Sequence, residues 1–219
     1  MSLKKIFDAL TKGPLIEKAF DRVEEIHNLT LEMFEKSFEV LINQKDEIID
    51  DIIKDDDKID LIEMKIRKEI FEYLAISSAP NLNASLILTA VIKDYERIGD
   101  ISANIAQLNR LYPTKLEEHV YLDEVYKMKN NINEIFKLTI DAFENEDYKK
   151  AKNALKLHDD VKEYHINIIK HLNDDKDIET NKAICYALLS YYLRRINAHL
   201  ANINTTVTGT VATIGHSDF

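Results

Sequence analysis

The sequence predicts an all-α protein built as two similar three-helix bundles from an internal duplication. Three observations predict it. Apolar residues recur at three- and four-residue steps along nearly the whole chain, the period of helices that bury one face. Only 4 Gly and 3 Pro occur in 219 residues, too little turn punctuation for a β-sandwich or a repeatedly wound α/β sheet. The helical pattern also runs through three stretches, meets a Pro-marked linker, and runs through three more of similar length, as a duplicated chain would.

The first stretch carries Ala19, Val23, Ile26, Leu29, Met33, Phe34, Phe38, Leu41 and Ile42 from Leu15 onward, behind a Gly13-Pro14 break that suits a helix start. The second begins near Asp46, carries Ile49, Ile52, Ile59, Ile62, Ile66 and Ile70, and stops before Pro80, where SSAPN supplies a turn. The third spans about Leu82 to Tyr112 and ends at Pro113. A fourth is expected from about Leu116 to Glu144, a turn at ENED (144–147), a fifth helix from Tyr148 to Leu172, a loop at 173–177, and a sixth helix from about Ile178 to Val207. The tail after it is expected to fray. Ala103-Asn104-Ile105 in the third helix recurs as Ala201-Asn202-Ile203 in the sixth. The expected units are therefore 1–112, the first repeat with an N-terminal extension, and 113–219, the second repeat with its tail.

Composition narrows the function. Hydrophobic residues make up 45% and charged ones 31%, a globular balance. The best apolar run, Leu86 to Ile92, is far short of the roughly 20 residues that a membrane span requires. The N-terminus has lysines but no long apolar core or small-residue cleavage site, so no secretory signal is expected. A single Cys185 makes neither a disulfide nor a thiolate metal site. A cytoplasmic protein is expected, with no direct membrane insertion. The net charge of −10 argues against nucleic acid and against anionic lipid, both of which require a basic surface.

The chemistry is expected in an acidic constellation. Asp56 and Asp60 are four apart on the second helix, and Glu96 and Asp100 are four apart on the third. That spacing puts each pair on one helical face, where the two charges repel. A bound hard cation such as Mg²⁺, Mn²⁺ or Fe³⁺ would turn repulsion into attraction. The ordinary meaning of a run such as DDIIKDDDKID is a solvated face. The second pair brackets a glycine, Gly99, which costs about 1 kcal/mol inside a helix relative to alanine and permits close helix approach. Glu24-x-x-His27 has ferritin-like spacing without a second copy, so His27 reads as a polar-face or partly buried histidine. His158, His165 and His171 share part of one side of the fifth helix. Cys185 reads as a buried small residue. No catalytic triad, P-loop or CxxC motif occurs.

ERIGD (96–100) followed by Ala103-Asn104-Ile105-Ala106, with DDDKIDLIE (55–63) one helix upstream, resembles the signature of the PhoU family of phosphate-signalling regulators. DAFENEDYKKAKNAL (141–155) and HDDVKEY (158–164) resemble the family's second repeat. The resemblance implies two three-helix bundles and metal binding, by iron or zinc among others, through E/DxxxD pairs. Here these are Asp56/Asp60 and Glu96/Asp100. It implies a non-catalytic regulator at the inner face of the membrane, with a membrane sensor kinase and phosphate transporter components as partners, and it leaves room for a homodimer. The second repeat departs from the pattern. Arg194-Arg195-Ile196-Asn197-Ala198 stands where ERIGD should recur, and His158 and Lys162 replace the upstream Asp pair. Metal is therefore expected in the first half only, with Arg194 paired to Asp159, Asp160 or Glu163 in the second. The competing readings are a carboxylate-bridged metal enzyme of the helical-bundle type and a metal-free helical scaffold.

Overall fold

The computed structural model describes residues 14–78, 80–113, 115–116, 120–145 and 147–208. Among them are six α-helices: α1 (Pro14–Asn43), α2 (Ile49–Ile76), α3 (Leu82–Leu111), α4 (Val120–Asn145), α5 (Tyr148–Asp174) and α6 (Thr180–Thr208). The described residues contain no strand. The expected frayed tail lies outside them, apart from Thr208, which closes α6.

Each group of three packs on itself, α1 and α2 against α3, and α4 and α5 against α6. The two groups meet mainly through α3 and α6. That topology explains the differing helix patterns. The outer helices bury one stripe, whereas α3 touches α1, α2 and α6 and buries residues around most of its circumference. Gly99, Ala103 and Ala106 on α3 are all buried, and small residues there let three neighbours approach one backbone.

Local chemistry sets the helix ends. The Ala84 N–H donates to Asn81 Oδ1 at 3.1 Å, and the Lys149 and Lys150 N–H groups donate to Asp147 Oδ1 at 2.9 and 3.2 Å, so both α3 and α5 carry side-chain N-caps. The Asn81 N–H donates to the Tyr73 hydroxyl at 2.8 Å, tying the α2–α3 loop to α2. Between α1 and α2, Gln44 has φ 56°, and a 3₁₀ turn (Asp46–Ile48) precedes α2. Gln44 Nε2 donates to Asn109 Oδ1 at 2.7 Å, and Asn109 Nδ2 donates to Asp46, so this corner is pinned to the end of α3.

Two boundaries differ from the sequence expectation. The second helix begins at Ile49, directly after the 3₁₀ turn that occupies Asp46–Ile48. The fourth begins at Val120, and Leu116 is buried without being helical. Periodicity reports burial, and a loop residue after Pro113 buries as well as a helical one.

The halves are joined by polar contacts as well as packing. Asp94 Oδ1 on α3 lies 2.9 Å from His199 Nδ1 and accepts from Asn202 Nδ2 at 3.1 Å, both on α6. Phe34 on α1 stacks on Phe136 of α4, with ring centroids 6.0 Å apart. His27 is not a polar-face residue. It is 2% exposed, its Nδ1 lies 3.0 Å from the Tyr95 hydroxyl, and its ring packs edge-on against Phe136. Burial pushes its pKa down to about 4, so the ring is neutral at pH 7. Glu24 is exposed, and the Glu-x-x-His spacing therefore builds no site.

Candidate metal centre

The α2–α3 hairpin brings the two acidic stretches face to face. A methyl group added at Gly99 would sit 2.8 Å from Ile59 Cδ1 and 3.2 Å from Asp56 Oδ1. The glycine thus lets α3 press against α2 where the carboxylates lie. Asp60, Glu63 and Glu96 each bring a carboxylate oxygen to within 4.8 Å of the other two. Asp56 and Asp100 border this trio. The Asp56 carboxyl is pushed up to about 6, first by burial and then by the charges of Asp100, Asp60, Asp57 and Glu96. The other three carboxylates singled out in the sequence therefore all lie near enough to act on Asp56.

Their environments differ. Glu96 is buried, Asp56 and Asp100 are half-buried, and Asp60 is exposed. Glu63, the last residue of DDDKIDLIE, escaped the sequence reading because that reading sought pairs four apart. Asp56, Asp60 and Glu63 follow i, i+4, i+7 spacing and so form one stripe. Extending the pair by one more turn would have found it.

Basic side chains hold the cluster together. Lys93 Nζ lies 2.8 Å from Glu96 Oε2 and 3.9 Å from Glu63 Oε1, an ammonium between the carboxylates of two helices. Glu96 Oε2 has this ion pair but no aligned hydrogen bond among the described residues. Arg67 reaches Glu63 at 2.7 Å and Arg97 reaches Asp100 at 2.8 Å. Five carboxylates thus face three cationic groups. The donor set is all oxygen, with no imidazole or thiolate in the trio, and suits Mg²⁺, Mn²⁺ or Fe³⁺ better than Zn²⁺, which prefers nitrogen and sulfur.

Among the described residues the second half lacks this arrangement. Arg194 makes no ion pair with Asp159, Asp160 or Glu163, contrary to the sequence expectation; Asp159 lies 3.8 Å from Lys162 instead, and all three acids are exposed. The Asp–Lys pair is one turn apart on a single helix, so α5 satisfies its own charge without reaching α6. Cys185 is buried and its thiol is pushed up to about 11 by burial, which makes it inert.

The family model described as "PhoU domain" matches the chain twice, over residues 23–108 and 125–207. The chain belongs to the PhoU family. Two curated relatives are similar to it. A "Phosphate-specific transport system accessory protein PhoU homolog" of Clostridium acetobutylicum is 28% identical over 196 residues, covering 83% of this chain and 88% of the relative. A protein of the same description in Aquifex aeolicus is 28% identical over 153 residues, covering 68% and 69%. The crystal structure of PhoU from Pseudomonas aeruginosa matches the fold with a TM-score of 0.78 at 19% identity, over 92% of this chain and 96% of that one. PhoU from Streptococcus pneumoniae matches with a TM-score of 0.79 at 18% identity, over 88% and 93%. The duplicated three-helix bundle is thus the PhoU fold, and ERIGD lies inside the first matched stretch.

Proposed function

We propose that this PhoU-family chain is a non-catalytic accessory regulator of phosphate uptake and phosphate-starvation signalling. It acts in the cytoplasm, at the inner face of the membrane, through contacts with phosphate transporter components and a membrane sensor kinase. The printed descriptions of its curated relatives support the transport role. Among the described residues no helix is long and apolar enough to cross a membrane, so attachment to a transporter would run through protein contacts.

In this reading a hard metal ion sits among Asp56, Asp60, Glu96 and Asp100, with Glu63 as an added ligand. The observation that carries it is the convergence of Asp60, Glu63 and Glu96 from two helices onto one small volume. A metal held there would supply charge neutralisation between the carboxylates of α2 and α3, a role that Lys93 fills between Glu63 and Glu96. A change there is positioned to be felt by a partner. Ile53, Met64 and Phe71 are exposed on α2, and exposed Asp60, seven residues after Ile53, lies in helical phase with them.

The ion pairs of Arg67, Lys93 and Arg97 favour one second reading, a metal-free scaffold whose carboxylates are satisfied internally. One experiment separates the two. A strain lacking the protein is expected to derepress its phosphate-starvation response in high phosphate, and the wild-type chain to restore repression. The double variant Glu96→Ala with Asp100→Ala should lose metal uptake and fail to restore it, at unchanged helical content. Restoration by the double variant would leave the scaffold reading, and no effect of deleting the protein would reject the regulatory role itself.

A further inference from the structure

The end of the α2–α3 hairpin presents large apolar side chains to solvent. Phe71 and Ile76 on α2 and Leu82 and Leu86 on α3 are each 57 to 76% exposed. Packing fixes which of them are level. Gly99 of α3 lies against Ile59 of α2, and Lys93 stands between Glu63 and Glu96, so the two helices run antiparallel in that register. Twelve residues on from Ile59 is Phe71, and thirteen back from Gly99 is Leu86. Ile76 and Leu82 are level nearer the tip, on either side of the loop at 77–81. Phe71 follows Asp60 by eleven residues and Leu82 precedes Lys93 by eleven, about three helical turns each, so both point to the side that carries the acidic cluster. Leu86 is seven before Lys93 and shares that side. Exposed apolar side chains gathered in this way mark a face that meets a partner.

The chain brings a segment of matching chemistry to the same end. Arg22 pairs with Glu69 at 3.2 Å, and His27 lies 3.0 Å from the Tyr95 hydroxyl. Arg22 is eight residues into α1 and Glu69 seven from the end of α2, while His27 and Tyr95 are each thirteen residues into their helices. Pro14, Ile76 and Leu82 therefore lie at one end of the first bundle. Residues 1–13, which join α1 there, lie outside the described residues. Their sequence is MSLKKIFDALTKG, in which Leu3, Ile6, Phe7 and Leu10 fall at i, i+3, i+4 and i+7, and Lys4, Lys5, Asp8 and Lys12 fall between them. That is the spacing of a helix with one narrow apolar face. Gly13 before Pro14 permits a sharp turn between such a helix and α1.

We infer that residues 3–12 dock as an amphipathic helix across the end of the hairpin, covering Ile76, Leu82 and Leu86 with Phe71 at the edge. Ten residues of helix span about 15 Å, enough to cross the ends of two helices whose axes lie about 8 to 10 Å apart. The segment is tethered at Pro14, so docking is intramolecular, and a small apolar face suffices to hold it. Charge favours this occupant over a bilayer. Glu69 and Glu72 near the end of α2 complement Lys4, Lys5 and Lys12, whereas an anionic lipid surface would meet Asp60, Glu63 and Glu96 on the same side of the hairpin.

The test uses fluorescence of the full chain. The protein has no tryptophan, so Phe7→Trp places a single reporter on the apolar side of the segment. Its emission is expected to be blue-shifted relative to free tryptophan in the same buffer, shielded from acrylamide, and independent of protein concentration. Adding Leu82→Ser with Leu86→Ser should lower the ratio of docked to free segment by about tenfold or more, the effect of losing the burial of one leucine side chain, and move the emission to the red. Both leucines are exposed, and far-UV dichroism checks that the fold is kept. Where that pair fails to fold, Leu3→Ser with Leu10→Ser carries the same test from the segment side. Vesicles of phosphatidylglycerol and phosphatidylcholine in equal parts form the membrane arm, and they should leave the emission where it is. Solvent-like emission in the free protein, or blue emission that survives the serine substitutions, would overturn the proposal. So would a blue shift that appears only with vesicles, which assigns the segment to lipid, or one that grows with protein concentration, which assigns it to a second copy.

Discussion

Replacing Asp56 with asparagine should stabilise the metal-free protein at pH 7.5. The carboxyl is pushed from its usual 3.8 up to about 6 by burial and by Asp100, Asp60, Asp57 and Glu96. A raised carboxylate pKa means that the folded chain holds this proton more tightly than the unfolded chain. Stability therefore falls as pH rises through about 4 to 6, and the full penalty is present above about 6. Two units would correspond to ~3 kcal/mol at about 1.4 kcal/mol each. Asp56 is only half-buried, so solvent screening reduces this to about 1 to 1.5 kcal/mol. For a chain of this length that is a gain of about 3 to 5 °C in Tm. The assay is thermal melting of both proteins in chelator at pH 7.5 and pH 4.5, then at pH 7.5 with excess Mn²⁺. The gain should be present in full in chelator at pH 7.5 and shrink to about a third of that at pH 4.5, inside the titration window. Manganese should raise the wild-type Tm and barely move the variant, since a ligand stabilises only the state that binds it. A variant no more stable than wild type in chelator at pH 7.5 would refute the reasoning, as would a gain at pH 4.5 as large as that at pH 7.5.

Gly99→Ala should destabilise the fold by about 1 kcal/mol, because overpacking against buried Ile59 at about 1 to 3 kcal/mol outweighs the helix-propensity gain of about 1; melting curves check this, and Mn²⁺ titration should show weakened binding as α3 is pushed off Asp56. His27→Gln should flatten the acid limb of stability. The imidazole pKa is held down to about 4 by burial, so the wild type loses stability as pH falls from about 6.5 to 4, by up to ~3 kcal/mol, and urea unfolding across that range measures it. Asp94→Ala should cost about 1 to 3 kcal/mol by removing the carboxylate that His199 and Asn202 meet at the contact between the halves, read as a lower urea midpoint.

The fold was legible because the helices are long and their apolar phase is rarely broken. α3 was placed to within a residue, with Pro80 and Pro113 marking both sides. Where the reading slipped, phase and backbone had parted company, as at Leu116, which keeps the apolar phase outside a helix. His27 lies in phase with Val23, Thr30 and Phe34, all buried, and its position should have outweighed its polarity. The acidic pairs could be assigned to faces from spacing alone. How far one helix slides along another is set by packing such as Gly99 on Ile59, which no single helix's sequence states. For that reason Arg194 was expected to reach a carboxylate that α5 does not present to it, whereas Glu63 was legible on its own helix one turn beyond Asp60.

Crystals soaked in Mn²⁺ and measured at the manganese absorption edge would locate the ion directly. Anomalous density between α2 and α3, in contact with Asp60, Glu63 and Glu96, with none between α5 and α6, is the result the account predicts. Density at the α5–α6 face, or none at the α2–α3 cluster under saturating manganese, would contradict it.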